Sequence, residues 1–266
     1  MSATRIVQTP MRNVITFGDS MPNNNSLPEW EKLLSSAAHL QRLLPDAVLV
    51  GGTAVATHVH HRLSYDAAHV LNDLRGHFDE ILEQLESVAG WQTARIRRPV
   101  LILGSLDGIE TGVRQLIREV PLETTTIQVG KETVTVPSAA EMLRIKAILI
   151  LRRNATRDYL DFTAMANSLG DEKTLEALRS FDALYPQPNG ESAYQQLQIQ
   201  LSNPVPYDLD DVDLSEYKHL VPELQDWNFI TARCRHLAME MFQNDSSLPL
   251  LSSDAELKRS PHGDGQ

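Results

Sequence analysis

The sequence predicts a mixed α/β fold: an α+β sheet domain followed by a helical C-terminal part. Three observations carry that reading. A short apolar run ends in the glycine pair Gly51-Gly52 and continues into a short helical segment, the pattern of a buried strand turning tightly into a helix. A strand-rich middle then spans residues 93–136, with Asp107-Gly108 and Gly130-Lys131 as turn signals. From Ser138 onward the apolar residues recur with helical period.

Taken in order, residues 1–25 read as a flexible lead-in ending in Pro22-Asn23-Asn24-Asn25. Ser26 caps a first helix, with Pro28 and Glu29 in its first turn and Trp30, Leu33, Leu34, Ala37, Leu40 and Leu44 on its apolar face. Residues 47–50 form a buried strand, 53–60 a short helix and 66–71 the next strand. Residues 74–88 are amphipathic through Phe78, Ile81, Leu82 and Leu85, and Gly90 ends that helix. Strand-like segments follow at 93–96, 100–103, 112–117, 124–129 and 133–136. The sheet domain is therefore placed at 26–137.

The helical domain is placed at 138–243. Ser138 and Glu141 make a capping box. The helix after it is apolar nearly all round, the pattern of a buried element, yet carries Lys146. A lysine there either snorkels to the surface or points into a polar site. Further helices are expected at 156–169, 175–184, 194–201 and 222–242, with an irregular acidic connection at 202–220 and a disordered polar tail at 244–266.

The formal net charge of −11 argues against a general nucleic-acid coat but leaves room for a local basic patch. Arg152, Arg153 and Arg157 form one cluster; Arg95, Arg97 and Arg98 form another, read as solvated surface. Cys234 is the single cysteine, so no internal disulfide and no thiolate-rich metal site can form, and a cytoplasmic home is expected. No apolar run reaches the length of a membrane span, and neither a signal peptide nor a lipidation motif is expected at the N-terminus.

Histidines crowd one stretch at positions 58, 60, 61, 69 and 77 without the spacing of a zinc site. Ser105 lacks the surroundings of an activated nucleophile. The glycine turn is neither a P-loop nor a dinucleotide fingerprint, and serves equally as a tight packing turn or as a cradle for phosphate. Arg62-Leu63-Ser64-Tyr65-Asp66 follows it, with Arg62 able to contact a phosphate and Asp66 able to hold a divalent metal. Arg157 and Asp161 are spaced as an i,i+4 pair, and Asp158 shares a helix face with Asp161.

This ordered set resembles the nucleotidyltransferase-like AbiEii/AbiGii toxin family. The likeness lies in Gly51-Gly52-Thr53-Ala54-Val55-Ala56, in His61-Arg62-Leu63-Ser64-Tyr65-Asp66, in Lys146-Ala147 and in Arg153 with Arg157-Asp158 and Asp161. The resemblance covers about residues 30–170. It implies a polymerase-β-like nucleotidyltransferase fold, a nucleoside triphosphate substrate, Mg²⁺, transfer of a nucleotidyl group to an acceptor such as tRNA, and a cognate antitoxin; no DNA or membrane partner is expected. It assigns nucleotide binding to Gly51, Gly52, Thr53, Arg62, Ser64, Lys146 and Arg153, metal binding to Asp66, and catalysis to Asp66, Lys146, Asp158 and Asp161.

The chain departs from the pattern at Ala68, where the family carries a second metal carboxylate. A methyl group cannot ligate a metal, and two-metal catalysis needs carboxylates for both ions. No clear third carboxylate stands on the strand expected at 112–117, where Gln115 is the nearest candidate. The chain is then a degenerate member, or carries an inactivating Asp-to-Ala change, or His69 compensates. Two further readings stay beside the transferase: a catalytically dead module that binds nucleotide, RNA or protein, and a nucleotidyltransferase acting on a small molecule.

Overall fold

The structure, a computed structural model, describes Val14–Ile15 and residues 28–246. The expected cap Ser26 and the polar tail beyond Ser246 lie outside the described residues. Two sheets form rather than one continuous strand-rich layer. The larger has the order β2-β3-β6-β5-β4 and is built from β2 (Val48–Leu49), β3 (Asp66–Leu71), β4 (Trp91–Arg97), β5 (Leu101–Leu106) and β6 (Ile109–Gln115). The smaller has the order β1-β7-β8, from β1 (Val14–Ile15), β7 (Thr124–Val129) and β8 (Glu132–Pro137).

The expected turns close two hairpins. Asp107-Gly108 joins β5 to β6 with both residues at positive φ, 54° and 79°, the conformation a two-residue hairpin requires. Gly130-Lys131 joins β7 to β8. β1 corrects the expectation of an unstructured lead-in: Val14 and Ile15 pair in parallel with Thr126 and Ile127, completing the ladder of a strand that would otherwise be an open edge.

Alternation decides what each face of the larger sheet does. On β3, Ala67, His69 and Leu71 are buried, whereas Asp66, Ala68 and Val70 face the other way. The buried face packs under α1 (Pro28–Leu43) and α3 (Phe78–Glu86) through Leu40, Leu74, Phe78, Leu85, Ile102, Leu106 and Val113. α3 is shorter than the expected 74–88, because Asp73 Oδ1 accepts from the Gly76 N–H at 3.2 Å and holds that segment as a turn.

The helical half comprises α4 (Ala139–Arg153), α5 (Thr156–Leu169), α6 (Asp171–Leu178), α7 (Phe181–Leu184), α8 (Ala193–Ser202) and α9 (Trp227–Ser246). Ser138 Oγ accepts from the Glu141 N–H at 3.2 Å, as its motif predicts. The helix expected at 175–184 is two short helices. The one expected from 222 is a 3-10 turn, Pro222–Gln225, followed by α9, because Asp226 Oδ1 accepts from the Asn228 N–H at 2.9 Å and starts a new helix. α9 reaches Ser246, past the expected start of a disordered tail. The expected boundary falls at Ser138, between β8 and α4, and one apolar cluster runs across it, holding Leu49 and Ala67 together with Met142, Tyr159, Leu197 and Met241. Among the described residues no helix is long and apolar enough to cross a membrane.

Candidate functional site

β2 ends at Leu49, and the chain turns through Val50 into α2 (Gly51–Val59). Gly51 takes φ +80°, a conformation that strains any residue with a Cβ. Gly52 is required for space: a Cβ there would stand 2.5 Å from Arg62 Nη2 and 3.1 Å from Ser64 Oγ. No side chain caps α2 at Val50, and its first turn holds no acid, so the free N–H groups of a helix start are presented here. The Val50 N–H donates to the Ala68 carbonyl at 2.8 Å and fixes this start against β3.

The unburied face of β3 and β6, the start of α2, and α4 with the start of α5 enclose a cavity of about 550 Å³. Gly51, Gly52, Arg62, Ser64, Asp66, Lys146 and Arg153 all line it, as does Ala68. The structure thus brings the sequence motifs together across some hundred residues of chain. Thr53 does not line it: its side chain is buried and its hydroxyl donates to the Asp66 carbonyl at 2.6 Å. Thr53 sets the position of Asp66, whose own Oδ1 accepts from Ser64 Oγ at 2.8 Å.

Asp158 and Asp161 are placed differently from the expectation that they work at the reacting atoms. Both are fully buried and neither lines the cavity. Asp161 accepts from Arg62 Nε at 2.8 Å and Nη2 at 3.1 Å, stands 2.6 Å from Lys146 Nζ, and meets His61 Nε2 at 2.6 Å. Burial alone would raise the Asp161 carboxyl, but Lys146 and Arg62 outweigh it and hold the group well below the usual carboxylate range. Asp158 accepts from Arg153 Nε at 2.5 Å and Nη2 at 2.7 Å, with Lys146 Nζ at 3.5 Å. For Arg153, burial lowers the guanidinium, but its bond to Asp158 more than offsets this and the net shift is upward. The spaced pair Arg157–Asp161 does not form, because α5 turns Asp161 into the core while Arg157 stays on the exposed side facing the cavity. Lys146 does not snorkel; it ends on the buried carboxylates.

The cavity holds cations that sequence reading missed. Arg114 of β6 points in beside Val70, and Arg118 closes one end while bonded to Glu141. Arg114 is pushed below the ordinary arginine value by burial and then by the positive fields of Arg153 and Arg157. The side chains of Arg114, Arg152 and Arg157 have no carboxylate partner within ion-pair distance and no hydrogen bond among the described residues. Tyr217, from the connection at 202–220, closes the mouth with Arg62 5.7 Å from its ring centroid. The Leu63 N–H donates to the Lys218 carbonyl and the Val221 N–H to the His61 carbonyl, so that connection straps the loop carrying Arg62.

One carboxylate was also missed. The strand expected from 112 starts at Ile109, and Glu110 becomes the register partner of Asp66 on the same face. The turn at Asp107-Gly108 was the available signal, since a hairpin strand resumes directly after its turn. His69 cannot replace a ligand at position 68. It is fully buried on the opposite face, and burial lowers it to about 4. No group of three or more His, Cys, Asp or Glu side chains suited to a metal occurs among the described residues. Asp66 lines the cavity and Glu110, its register partner, stands beside it outside that lining; with phosphate oxygens the two fit the habits of one Mg²⁺ ion, which commonly takes one or two carboxylates plus substrate phosphates. The methyl of Ala68 does not fit a two-metal arrangement.

No known family profile matches the chain. Over 130 residues, 47% of this chain, it is 31% identical to the mycolic acid-containing lipids exporter MmpL11 of Mycolicibacterium smegmatis, and the match spans 13% of that protein's length. A solved structure described as a nucleotidyltransferase from Helicobacter pylori is similar with a TM-score of 0.52 at 14% identity, over 85% of this chain and 98% of that one. JHP933 from Helicobacter pylori gives 0.51 at 13% identity, over 85% and 97%. The fold is therefore nucleotidyltransferase-like, an α/β sheet domain followed by a helical C-terminal part.

Proposed function

We propose, taking the nucleotidyltransferase-like fold as premise, that the cavity binds a nucleoside triphosphate and that the protein transfers its nucleotidyl group to an acceptor. One observation carries this reading: in a chain of net charge −11, Arg62, Arg114, Arg118, Lys146, Arg152, Arg153 and Arg157 line one cavity against the single lining carboxylate Asp66. Such a convergence of cations suits a polyphosphate.

The residues divide the work by how they are held. Arg62 and Arg153 are oriented from behind by Asp161 and Asp158, so their remaining donors meet the triphosphate with little reorganisation. The N–H groups at the start of α2 add fixed positive charge near Gly51 and Gly52. Lys146 is held by Asp161 and shares that carboxylate with Arg62. Asp66 and Glu110 would hold one Mg²⁺, which would screen the triphosphate. The acceptor hydroxyl gives its proton to water as its oxygen forms the bond to the α-phosphorus and the bond to the β-phosphate breaks, and Arg114 and Arg153 stabilise the departing pyrophosphate.

The finer reading drawn from the motif resemblance is a toxin of the AbiEii/AbiGii type, cytoplasmic, acting on tRNA and neutralised by a cognate antitoxin. Ala68 favours a second reading, in which the cavity binds nucleotide without transferring it. Incubation of the chain and of Ala68→Asp with labelled triphosphates, Mg²⁺ and tRNA separates them. Nucleotide binding by both, with about tenfold or greater label transfer by Ala68→Asp, is expected, since one recovered metal contact at the reacting phosphate is worth several kcal/mol. Binding without transfer by either supports the second reading. Absence of nucleotide binding by both sinks the site.

A further inference from the structure

The unburied face of the larger sheet runs past the cavity to its edge strand, and the strand register sorts its side chains into three rows. Asp66, Glu110 and Ser105 form the first. Ala68, Gly112, Leu103 and Arg95 form the second, and Val70, Arg114, Leu101 and Arg97 the third. Charge is thereby segregated: carboxylates occupy the first row, arginines the second and third. Arg95 and Arg97 are exposed, and neither has a carboxylate partner among the described residues, whereas their neighbour Arg98 is paired with Asp79. Unpaired arginines concentrated on one face of an acidic protein call for an external anion. Arg97 and Arg114 stand two strands apart, about 9.6 Å at ordinary sheet spacing, so the anion they share is extended.

We propose that this face seats the phosphodiester backbone of a single-stranded polynucleotide, which crosses β4 and β5 and brings its end to the row of Asp66. The order of the rows selects that partner. A polynucleotide offers phosphates to the arginines and an uncharged terminal hydroxyl to the carboxylates. An acidic peptide would carry its own carboxylates against Asp66 and Glu110. The cations on this face are guanidiniums, which hold phosphate oxygens in pairs. The identity of the end as the acceptor rests on the transferase reading; the backbone seat does not.

The test uses the full chain and the charge reversal Arg95→Glu with Arg97→Glu, at two exposed positions outside the cavity lining. Binding of fluorescein-labelled single-stranded RNA, of DNA of the same sequence and of an acidic peptide is followed by anisotropy from about 50 to 200 mM salt. The parent chain is expected to bind the oligonucleotides and not the peptide. The double variant should bind them at least about tenfold more weakly, with a log–log salt slope flatter by about 1.4, two single-strand phosphate contacts. Arg95→Gln with Arg97→Gln should give a smaller loss in the same direction, and both variants should keep their thermal melt and their triphosphate affinity. Equal loss for RNA and DNA places recognition on the phosphates; loss for one alone adds a sugar contact to the same seat. Unchanged oligonucleotide affinity and slope, or a parent that prefers the peptide, overturns the proposal. A parent that binds oligonucleotide through Arg95 and Arg97 but no triphosphate leaves this seat standing and removes the transferase reading.

Discussion

The two walls of the cavity are both cationic and are built on opposite principles. On the helical wall each inward cation has a buried counter-ion: Asp161 holds Arg62 and Lys146, and Asp158 holds Arg153. Across from it Arg114 has none, and at the rim Arg152 and Arg157 have none. A buried charge without a partner destabilises the fold, whereas an exposed one leaves stability nearly unchanged and remains available to a ligand. The buried carboxylates of the paired wall therefore belong to the architecture and fix Arg62 and Arg153 in place, while the unpaired arginines answer to a ligand alone. Asp158 and Asp161, which the family resemblance assigns to catalysis, are buried against Arg62, Lys146 and Arg153 in this arrangement.

The largest effect should come from breaking the paired wall. Asp161→Asn leaves Arg62, Lys146 and His61 facing a neutral amide, and about 3–5 kcal/mol of stability should be lost, read from the urea midpoint. A loss below about 1 kcal/mol, the scale of an exposed pair, would erase the distinction between the walls. Acid should probe the sheet instead. Burial lowers His69 to about 4, so the unfolded chain takes its proton first, and stability falls as pH drops from about 6.5 to about 4, by up to roughly 3 kcal/mol. Asp161 adds nothing in that window, because its lowered carboxyl stabilises at every pH above the ordinary carboxylate value and is lost only below it. Urea midpoints at neutral and mildly acidic pH should converge in His69→Leu; a variant retaining the whole acid loss would move its cause to His58, His60 and His61, which burial also lowers. The smallest effect on folding is expected at Arg114→Gln, within about 0.5 kcal/mol. Its triphosphate affinity should nonetheless drop about tenfold, as for one charged hydrogen bond, by titration calorimetry. Equal changes in folding and binding would show that Arg114 is structural after all.

The elements with local signals were legible in the sequence. The Asp107-Gly108 and Gly130-Lys131 hairpins, the Ser138 cap and the apolar period of α4 stand where short-range chemistry puts them. Gly51, Gly52, Arg62, Ser64, Asp66, Lys146 and Arg153 come from separate motifs and line one cavity. What was hidden depends on register and on which way a helix faces. Glu110 and Arg114 acquire meaning only when β6 is laid beside β3, a pairing separated by an α-helix and a hairpin. Asp161 reads as the partner of Arg157 until α5 packs inward and delivers it to Lys146. Thr53 looks like a ligand in a glycine-turn motif, and its hydroxyl is spent on the backbone of β3. Two sheets replace one because β8 leads directly into α4 and pairs only with β7.

The apolar cluster that runs from Leu49 and Ala67 through Met142 and Tyr159 to Met241 bears on how the molecule comes apart. Arg62 and Asp66 come from the sheet half of the chain and Asp161, which holds Arg62 at 2.8 Å, from the helical half, so the cavity draws on both. Loosening α5 withdraws the counter-ion from Arg62 in the same event that opens the core. Assembly of the site is thereby coupled to the packing of α5 against the rest of the core.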